Sequence, residues 1–182
     1  MVTKVLVGFL KKSSVSTLVT MKCFPWTFSD KIALIGDASH AIVPFYGQGM
    51  NSGFEDITIL NSLILEHGND WKTIFSKYEV SRKPDADAIA ELSYRNFMEM
   101  STKTADPNFI LQKKIEKHFS DKHPEKWIPL YSMVTFSTIP YSEALAIGDV
   151  QERIMQEILK MENIQNIWNS AEVEKKILSF LG

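Results

Sequence analysis

The sequence has little of what stabilises secreted proteins or anchors proteins in membranes. Cys23 is the only cysteine among 182 residues, so no disulfide can form within the chain. We therefore expect a reducing compartment such as the cytoplasm. No signal peptide is recognisable, and no window approaches the roughly 18 consecutive apolar residues that read as a membrane-spanning helix.

An excess of charge of one sign is also absent. The 20 Lys and Arg residues nearly balance 22 Asp and Glu residues, which leaves a net charge of −2. A strongly basic surface is what attracts nucleic acids and anionic membranes. We therefore predict neither a nucleic acid nor a membrane as a partner, and we predict no metal site.

What the chain does contain is typical of a globular protein, with 45% apolar and 23% charged residues. Residues 16–24, rich in Thr, Val and Leu, predict one strand, and the short apolar run at residues 31–36 predicts a second, buried one. Two strands are too few for a stable sheet, and a buried strand requires neighbours on both sides. The pattern indicates a piece of a larger fold.

From residue 50 onwards the sequence predicts helices almost throughout. Ser52 and Glu55 fit a capping box, and Gly68 fits a helix stop. Pro84 fits the first turn of a helix, whereas Pro129 argues against one around it. The predicted helices cover residues 50–68, 70–78, 84–103, 107–119, 142–168 and 171–180, and residues 127–136 are predicted to be extended or irregular.

The segment 34–56 carries the chemical information. Asp37 follows the predicted buried strand, at the end where open α/β sheets bind their ligands, and its carboxylate can accept hydrogen bonds from ribose hydroxyls. Gly47 and Gly49 precede a helix, and glycine lets a backbone approach a ligand closely. The free N–H groups at a helix start favour negative charge. The alternative is an ordinary strand, turn and helix in which Asp37 is a local cap.

Residues 36–56 read GDASHAIVPFYGQGMNSGFED. This stretch resembles the second FAD motif, the Gly-Asp motif, of the FAD-dependent aromatic hydroxylases, and it is most similar to their kynurenine-hydroxylating members. The resemblance continues through YRNFMEM at 94–100 and IPLYSMVTFS at 128–137. It implies an α/β or α+β fragment. Residues 1–68 would end an FAD-binding, Rossmann-like domain, and residues 69–182 would form a mostly helical region lining the substrate pocket.

The resemblance also implies a role for particular residues. Asp37 would hold the ribityl or pyrophosphate region of FAD, and Met50 and Asn51 would lie at the pyrimidine edge of the flavin. Asn96 and Tyr131 would hold the amino-acid end of L-kynurenine. Because the cofactor, reduced by NADPH, carries the reaction with O2, we expect no catalytic acid or base in this chain.

Each of these side chains has a plainer alternative. Asn96 falls on an apolar helix face, where it could be a core amide bonded to backbone. Tyr131 could be a packed aromatic, and His40 is expected to be a structural loop histidine. Cys23 is expected to be a small apolar residue of its segment.

The family's first motif, Gly-x-Gly-x-x-Gly followed by an acidic residue, does not occur in the sequence. The substrate-binding Arg and Tyr of the family would also lie outside it. We therefore expect the chain to require an N-terminal half and to be inactive by itself. Two alternatives are a flavin hydroxylase for another aromatic acid and a non-enzymatic helical interaction module.

Overall fold

A computed structural model of the chain describes residues 17–182. Residue 16, where the first predicted strand begins, and the preceding part of the predicted first domain lie outside the described residues. The elements in chain order are β1 (Thr27–Phe28), β2 (Ile32–Ala33), α1 (Asp37–His40), α2 (Gly49–His67), α3 (Trp71–Met98), a π-helical turn (Glu99–Lys103), α4 (Pro107–Lys122), α5 (Leu130–Phe136), α6 (Tyr141–Ile158), α7 (Ile164–Ile167) and α8 (Ala171–Leu181). The fold is mostly helical, as predicted.

Strand structure in the described residues is a two-stranded antiparallel hairpin, β1 with β2. The predicted strand at 16–24 is wrong for residues 17–24, which have no regular structure. A strand needs a hydrogen-bonded neighbour, and the hairpin does not extend to this segment. The predicted strand at 31–36 is confirmed only as β2, because the chain turns at Gly36 into α1.

Helix α2 begins at Gly49, one residue before the predicted start, and Gly68 ends it as predicted, with its N–H bonded to the Ile64 carbonyl at 2.8 Å. The predicted capping box is wrong. Gln48 occupies the N-cap position, and Ser52 is buried within the helix.

Residues 70–78 and 84–103, predicted as two helices, belong largely to the single helix α3, with Pro84 in its interior. An interior proline costs roughly 3 kcal/mol or more. Burial on both sides of it offsets this cost, since α3 places Tyr78 and Ile89, neither of them exposed, in two different apolar clusters. Tertiary packing therefore decides the continuity of this helix.

Two further predictions are wrong in the C-terminal half. Residues 130–136 are helical, because Pro129 precedes α5 at its N-cap position instead of interrupting it. The helix predicted over 142–168 ends at Ile158, and α7 follows a turn in which Asn163 is left-handed with φ 56°. Asparagine tolerates this conformation better than most residues. The predictions of α4 and α8 are confirmed.

Three apolar clusters hold the elements together, and helices α3 and α6 each contribute to two of them. The hairpin cluster is buried around Trp26, Tyr78 and Ala86. The central cluster comprises Ala88, Ile89, Leu92, Met133, Val134, Tyr141 and Ala144. The C-terminal cluster comprises Ile115, Phe119, Trp127, Ile154, Met155, Ile158, Ile164, Val173 and Ile177. The division of the chain at residue 68 stays a prediction.

Candidate functional site

Asp37 is the exposed first residue of the one-turn helix α1, which lies inside a segment predicted to be a loop. Gly36 before it has φ 59° and ψ −137°, a conformation that side chains disfavour. This turn lies directly against α2, since a methyl group on Gly53 would be 3.7 Å from the Gly36 Cα. The positive φ calls for glycine at position 36, whereas a methyl group at either position would make only ordinary van der Waals contact.

A buried carboxylate holds the same turn from below. Asp56 on α2 is fully buried, and its Oδ2 accepts hydrogen bonds from the Gly36 N–H at 3.0 Å and from the His40 Nε2 at 2.6 Å. Its Oδ1 accepts one from the Nε of Arg82 on α3 at 2.8 Å. Burial by itself raises the pKa of the Asp56 carboxyl, but the hydrogen bonds from His40, Arg82 and Gly36 outweigh it, so the pKa lies below its ordinary value.

Arg82 is itself 4% exposed and reaches three further groups. Its guanidinium lies 3.1 Å from Glu55 and 3.4 Å from Asp85, and it donates to the Ser52 carbonyl at 3.3 Å. Asp85 in turn accepts from the N–H and the hydroxyl of Ser142 at the start of α6. We call Asp56, Arg82, Asp85 and His40 the buried ionic cluster, which has the exposed Glu55 at its edge. It links α1, α2, α3 and α6.

The start of α2 presents backbone donors without a side-chain cap. Gln48, at the N-cap position, makes no capping hydrogen bond, and the first turn carries no acidic residue. The Gln48 Oε1 instead accepts from the Asn51 Nδ2 at 2.8 Å and from the Tyr141 hydroxyl at 3.2 Å. These bonds orient Asn51 and leave the first-turn N–H groups of the helix free for an anionic ligand.

Asp37 and the start of α2 border one open cleft of about 630 Å³. Its polar features are the Asp37 carboxylate and backbone, and much of its wall is glycine and apolar side chain. Met50 on its rim is 71% exposed. The lining residues are Ile35, Gly36, Asp37, Ile42, Pro44, Gly47, Gly49, Met50, Gly53, Phe54 and Ile57. Such a cleft suits a large, flat ligand with hydroxyl groups and negative charge.

A second cavity, of about 510 Å³, contains both Asn96 and Tyr131. The Asn96 Nδ2 donates to the Phe45 carbonyl at 2.8 Å. A bond to backbone is what the plainer alternative, a core amide at Asn96, predicts. The Tyr131 ring is half exposed and stacks on Tyr46 with centroids 5.6 Å apart. Burial, aided by Glu99 and Tyr131, raises the pKa of Tyr46 to about 12, so its hydroxyl stays protonated.

One loop borders both cavities. Pro44 and Gly47 line the cleft beside Asp37, whereas Tyr46 between them lines the cavity with Asn96 and Tyr131. The structure thus brings Asp37 and Met50, two of the predicted cofactor residues, to one cleft, which Asn51 does not line, and it brings the predicted substrate residues Asn96 and Tyr131 to the other cavity. A segment of a few residues separates the two.

His40 is 3% exposed and packs against Trp26, with ring centroids 5.3 Å apart. This is the environment expected of a structural histidine. Cys23 is half-buried, with its Sγ 3.2 Å from the Ser39 carbonyl. Sequence reasoning missed Asp56 and Arg82. The available signal was an acidic residue one turn after Ser52 on the buried face of α2, which requires a cationic partner.

Comparison with known proteins identifies relatives of this chain. Residues 7–93 match a family model described as "FAD binding domain". The chain is 75% identical over 170 residues to a kynurenine 3-monooxygenase from Flavobacterium johnsoniae, and 76% identical over 170 residues to one from Flavobacterium psychrophilum. A kynurenine 3-monooxygenase from Christiangramia forsetii is 59% identical over the same length. Each match covers 93% of this chain.

The chain is therefore similar to kynurenine 3-monooxygenases over most of its own length. It spans 38% of the length of these three relatives, so it corresponds to one part of such an enzyme. The predicted resemblance to the aromatic hydroxylases is confirmed. Within residues 17–182, none of the helices combines the length and the apolar character needed to cross a membrane.

Proposed function

We propose that the chain is the part of an FAD-dependent monooxygenase that completes the flavin site and lines the substrate pocket. The enzyme would hydroxylate L-kynurenine at its 3-position, with NADPH and O2 as co-substrates. The observation that carries the proposal is the glycine-lined cleft between Asp37 and the uncapped start of α2, within the segment that matches an FAD binding domain. The names of the relatives support kynurenine as the substrate.

The residues around the cleft fit FAD. Asp37 is exposed beside the glycines, where its carboxylate can accept hydrogen bonds from ribityl hydroxyls. The N–H groups of Met50 and Asn51 lie in the uncapped first turn of α2, where they favour the negative charge of a reduced flavin. When bound, FAD supplies the electron transfer from NADPH and the activation of O2. The protein binds and orients the cofactor, and we assign no residue of this chain as a catalytic acid or base.

The cavity beyond the 44–47 loop fits the substrate. The Asn96 nitrogen donates to the Phe45 carbonyl. Its carboxamide oxygen accepts no hydrogen bond from the described residues and can accept one from an α-ammonium group. The exposed hydroxyl of Tyr131 can donate to a carboxylate. In this proposal residues 1–68 form the end of a Rossmann-like FAD domain, and residues 69–182 form the helical region around the substrate. A cytoplasmic location remains a prediction from the single cysteine.

The experiment that tests the proposal uses a complete enzyme. In what we call the chimera, this chain replaces the matching 38% of the Flavobacterium johnsoniae relative. We expect the chimera to bind FAD and to consume NADPH and O2 in the presence of L-kynurenine, with formation of the 3-hydroxylated product. The isolated chain should bind FAD weakly or not at all and should be inactive.

The Asp37→Ala chimera should lose FAD while keeping its helical content by circular dichroism. Other aromatic acids serve as competing substrates. A chimera that turned over one of them faster than kynurenine would point to a different hydroxylase, and a chimera without FAD would leave only the interaction-module alternative.

A further inference from the structure

The buried ionic cluster contains a carboxylate that the proposed function does not use. Asp56 is fully buried, and three donors converge on it: the Gly36 backbone and the His40 ring from the two ends of α1, and the Arg82 guanidinium from α3. Replacing a buried ion pair by apolar side chains is often neutral or stabilising. A buried ion pair does provide directional contacts. The groups that it contacts therefore indicate its role.

Both contacts of the Asp56 Oδ2 go to the two ends of α1. The Gly36 N–H lies immediately before Asp37, and His40 is the last residue of that one-turn helix. Four residues make too short a helix to hold its own shape. Its geometry therefore depends on the carboxylate beneath it and on the contact between Gly36 and Gly53.

We propose that Asp56 is a positioning residue for the cofactor, which fixes the turn at Gly36 and thereby the Asp37 carboxylate at the edge of the cleft. This inference rests on the proposed binding of FAD beside Asp37. Asp56 does not line the cleft itself, so it acts through the turn. Arg82 is its counter-ion, and it holds the Oδ1 while the Oδ2 bonds the turn.

The test compares two carboxylates of the same cluster in the chimera. Asp56→Asn leaves one acceptor oxygen where there were two, so either the turn or Arg82 loses its partner. Asp85→Asn is the matched control, because Asp85 also contacts Arg82 but bonds Ser142 on α6 and makes no hydrogen bond or ion pair with the described residues of α1. The readouts are the Kd for FAD and amide hydrogen exchange of the peptide covering residues 36–40.

We expect Asp56→Asn to raise the Kd for FAD by about tenfold or more, since hydrogen bonds to charged groups have this weight. It should also accelerate exchange at residues 36–40, and Asp85→Asn should do neither. An unchanged Kd in a folded Asp56→Asn chimera overturns the proposal. Equal losses in both variants also overturn it, because they would mean general destabilisation.

If the Asp56→Asn chimera does not fold, a second pair of variants, at His40, tests the proposal. His40→Ala removes the side-chain donor at the other end of α1, and His40→Gln restores a donor close to the position of Nε2. Weaker FAD binding in the first and recovery in the second supports the proposal. Equal FAD binding by His40→Ala, His40→Gln and the wild type overturns it.

Failure of the proposed function is distinguishable, because hydrogen exchange needs no cofactor. If the unsubstituted chimera bound no FAD, or if Asp37→Ala bound it normally, the cofactor role of Asp37 would be wrong. Exchange at residues 36–40 would still show whether Asp56 fixes the turn. If Asp37→Ala lost FAD and Asp56→Asn did not, the proposed FAD binding beside Asp37 would be supported and the positioning role of Asp56 would be wrong.

Discussion

The buried ionic cluster and the C-terminal cluster are both hidden from solvent, but they are built on opposite principles. The first joins α1, α2, α3 and α6 through charged groups at hydrogen-bonding distance. The second packs aliphatic and aromatic side chains of α4, α6 and α8. Apolar contacts are non-directional and stabilise in proportion to the area buried. Burying charged groups that make directional bonds costs desolvation free energy. In this chain such bonds lie beside the cleft, where in our proposal they fix the position of the Asp37 carboxylate.

The largest expected losses of stability follow from substitutions within the buried ionic cluster and within the C-terminal cluster. Arg82→Ala in the chimera leaves the buried Asp56 without its counter-ion, and the loss of a partner of this kind costs about 3–5 kcal/mol. Because Asp56 also holds the Asp37 turn, FAD binding should weaken together with stability. Denaturant unfolding and FAD titration measure the two losses. Normal FAD affinity in this variant would contradict the coupling of the cluster to the cleft.

A comparable loss of stability should follow from Phe119→Ala, with a different consequence. Phe119 is 2% exposed and packs edge-on against Trp127. Truncation leaves a cavity, which for a buried Phe costs about 3–5 kcal/mol. The FAD Kd of the folded fraction should stay at the wild-type value, because no directional contact of the cleft changes. Weaker FAD binding here, measured by the same titration, would remove the contrast between the two regions.

The substrate cavity should show an intermediate effect on binding alone. Asn96→Ala and Tyr131→Phe each remove a proposed hydrogen bond to a charged end of kynurenine, worth about 1.5–3 kcal/mol. The apparent KM for kynurenine should rise by roughly tenfold to a hundredfold, while the flavin content of the chimera stays normal. Steady-state kinetics and the flavin absorbance check this. Variants that unfolded, or that lost FAD instead, would favour the plainer alternatives of a core amide and a packed aromatic.

The smallest expected effect concerns a surface carboxylate of the C-terminal region. Hydrogen bonds from Lys122 and His123 lower the pKa of Glu174 from 4.5 to about 2. Because the folded-state pKa is depressed, its contribution to stability is present above pH 4.5 and disappears as the pH falls through about 2. The unfolding midpoints of wild type and Glu174→Gln should therefore converge at acid pH. Solvent and salt screen this pair, so a gap that persisted unchanged at low pH would refute the assignment.

Local patterns were sufficient for elements whose signals lie close together in the chain. Gly68 ends α2 as predicted, and the predictions of α4 and α8 hold. The signal at Pro84 was misleading, because the burial of Tyr78 and Ile89 in different clusters keeps α3 continuous across it. The strand predicted at 16–24 did not form over the described residues 17–24, because strands depend on a partner that local composition does not reveal.

The sequence by itself determined the resemblance to the FAD-dependent aromatic hydroxylases, through the segment from Gly36 to Asp56, and it determined that the chain is mostly helical. That Asn96 and Tyr131 line one cavity was predicted only through the resemblance, because the two residues belong to helices separated by a long stretch of chain. Only the tertiary structure decided that Asp56 meets Arg82. Arg82 has a local partner in Asp85, three residues further along the chain, so the sequence pattern does not single out Asp56. A buried charge must be paired, but the sequence does not say with which residue, because that pairing depends on how whole helices pack.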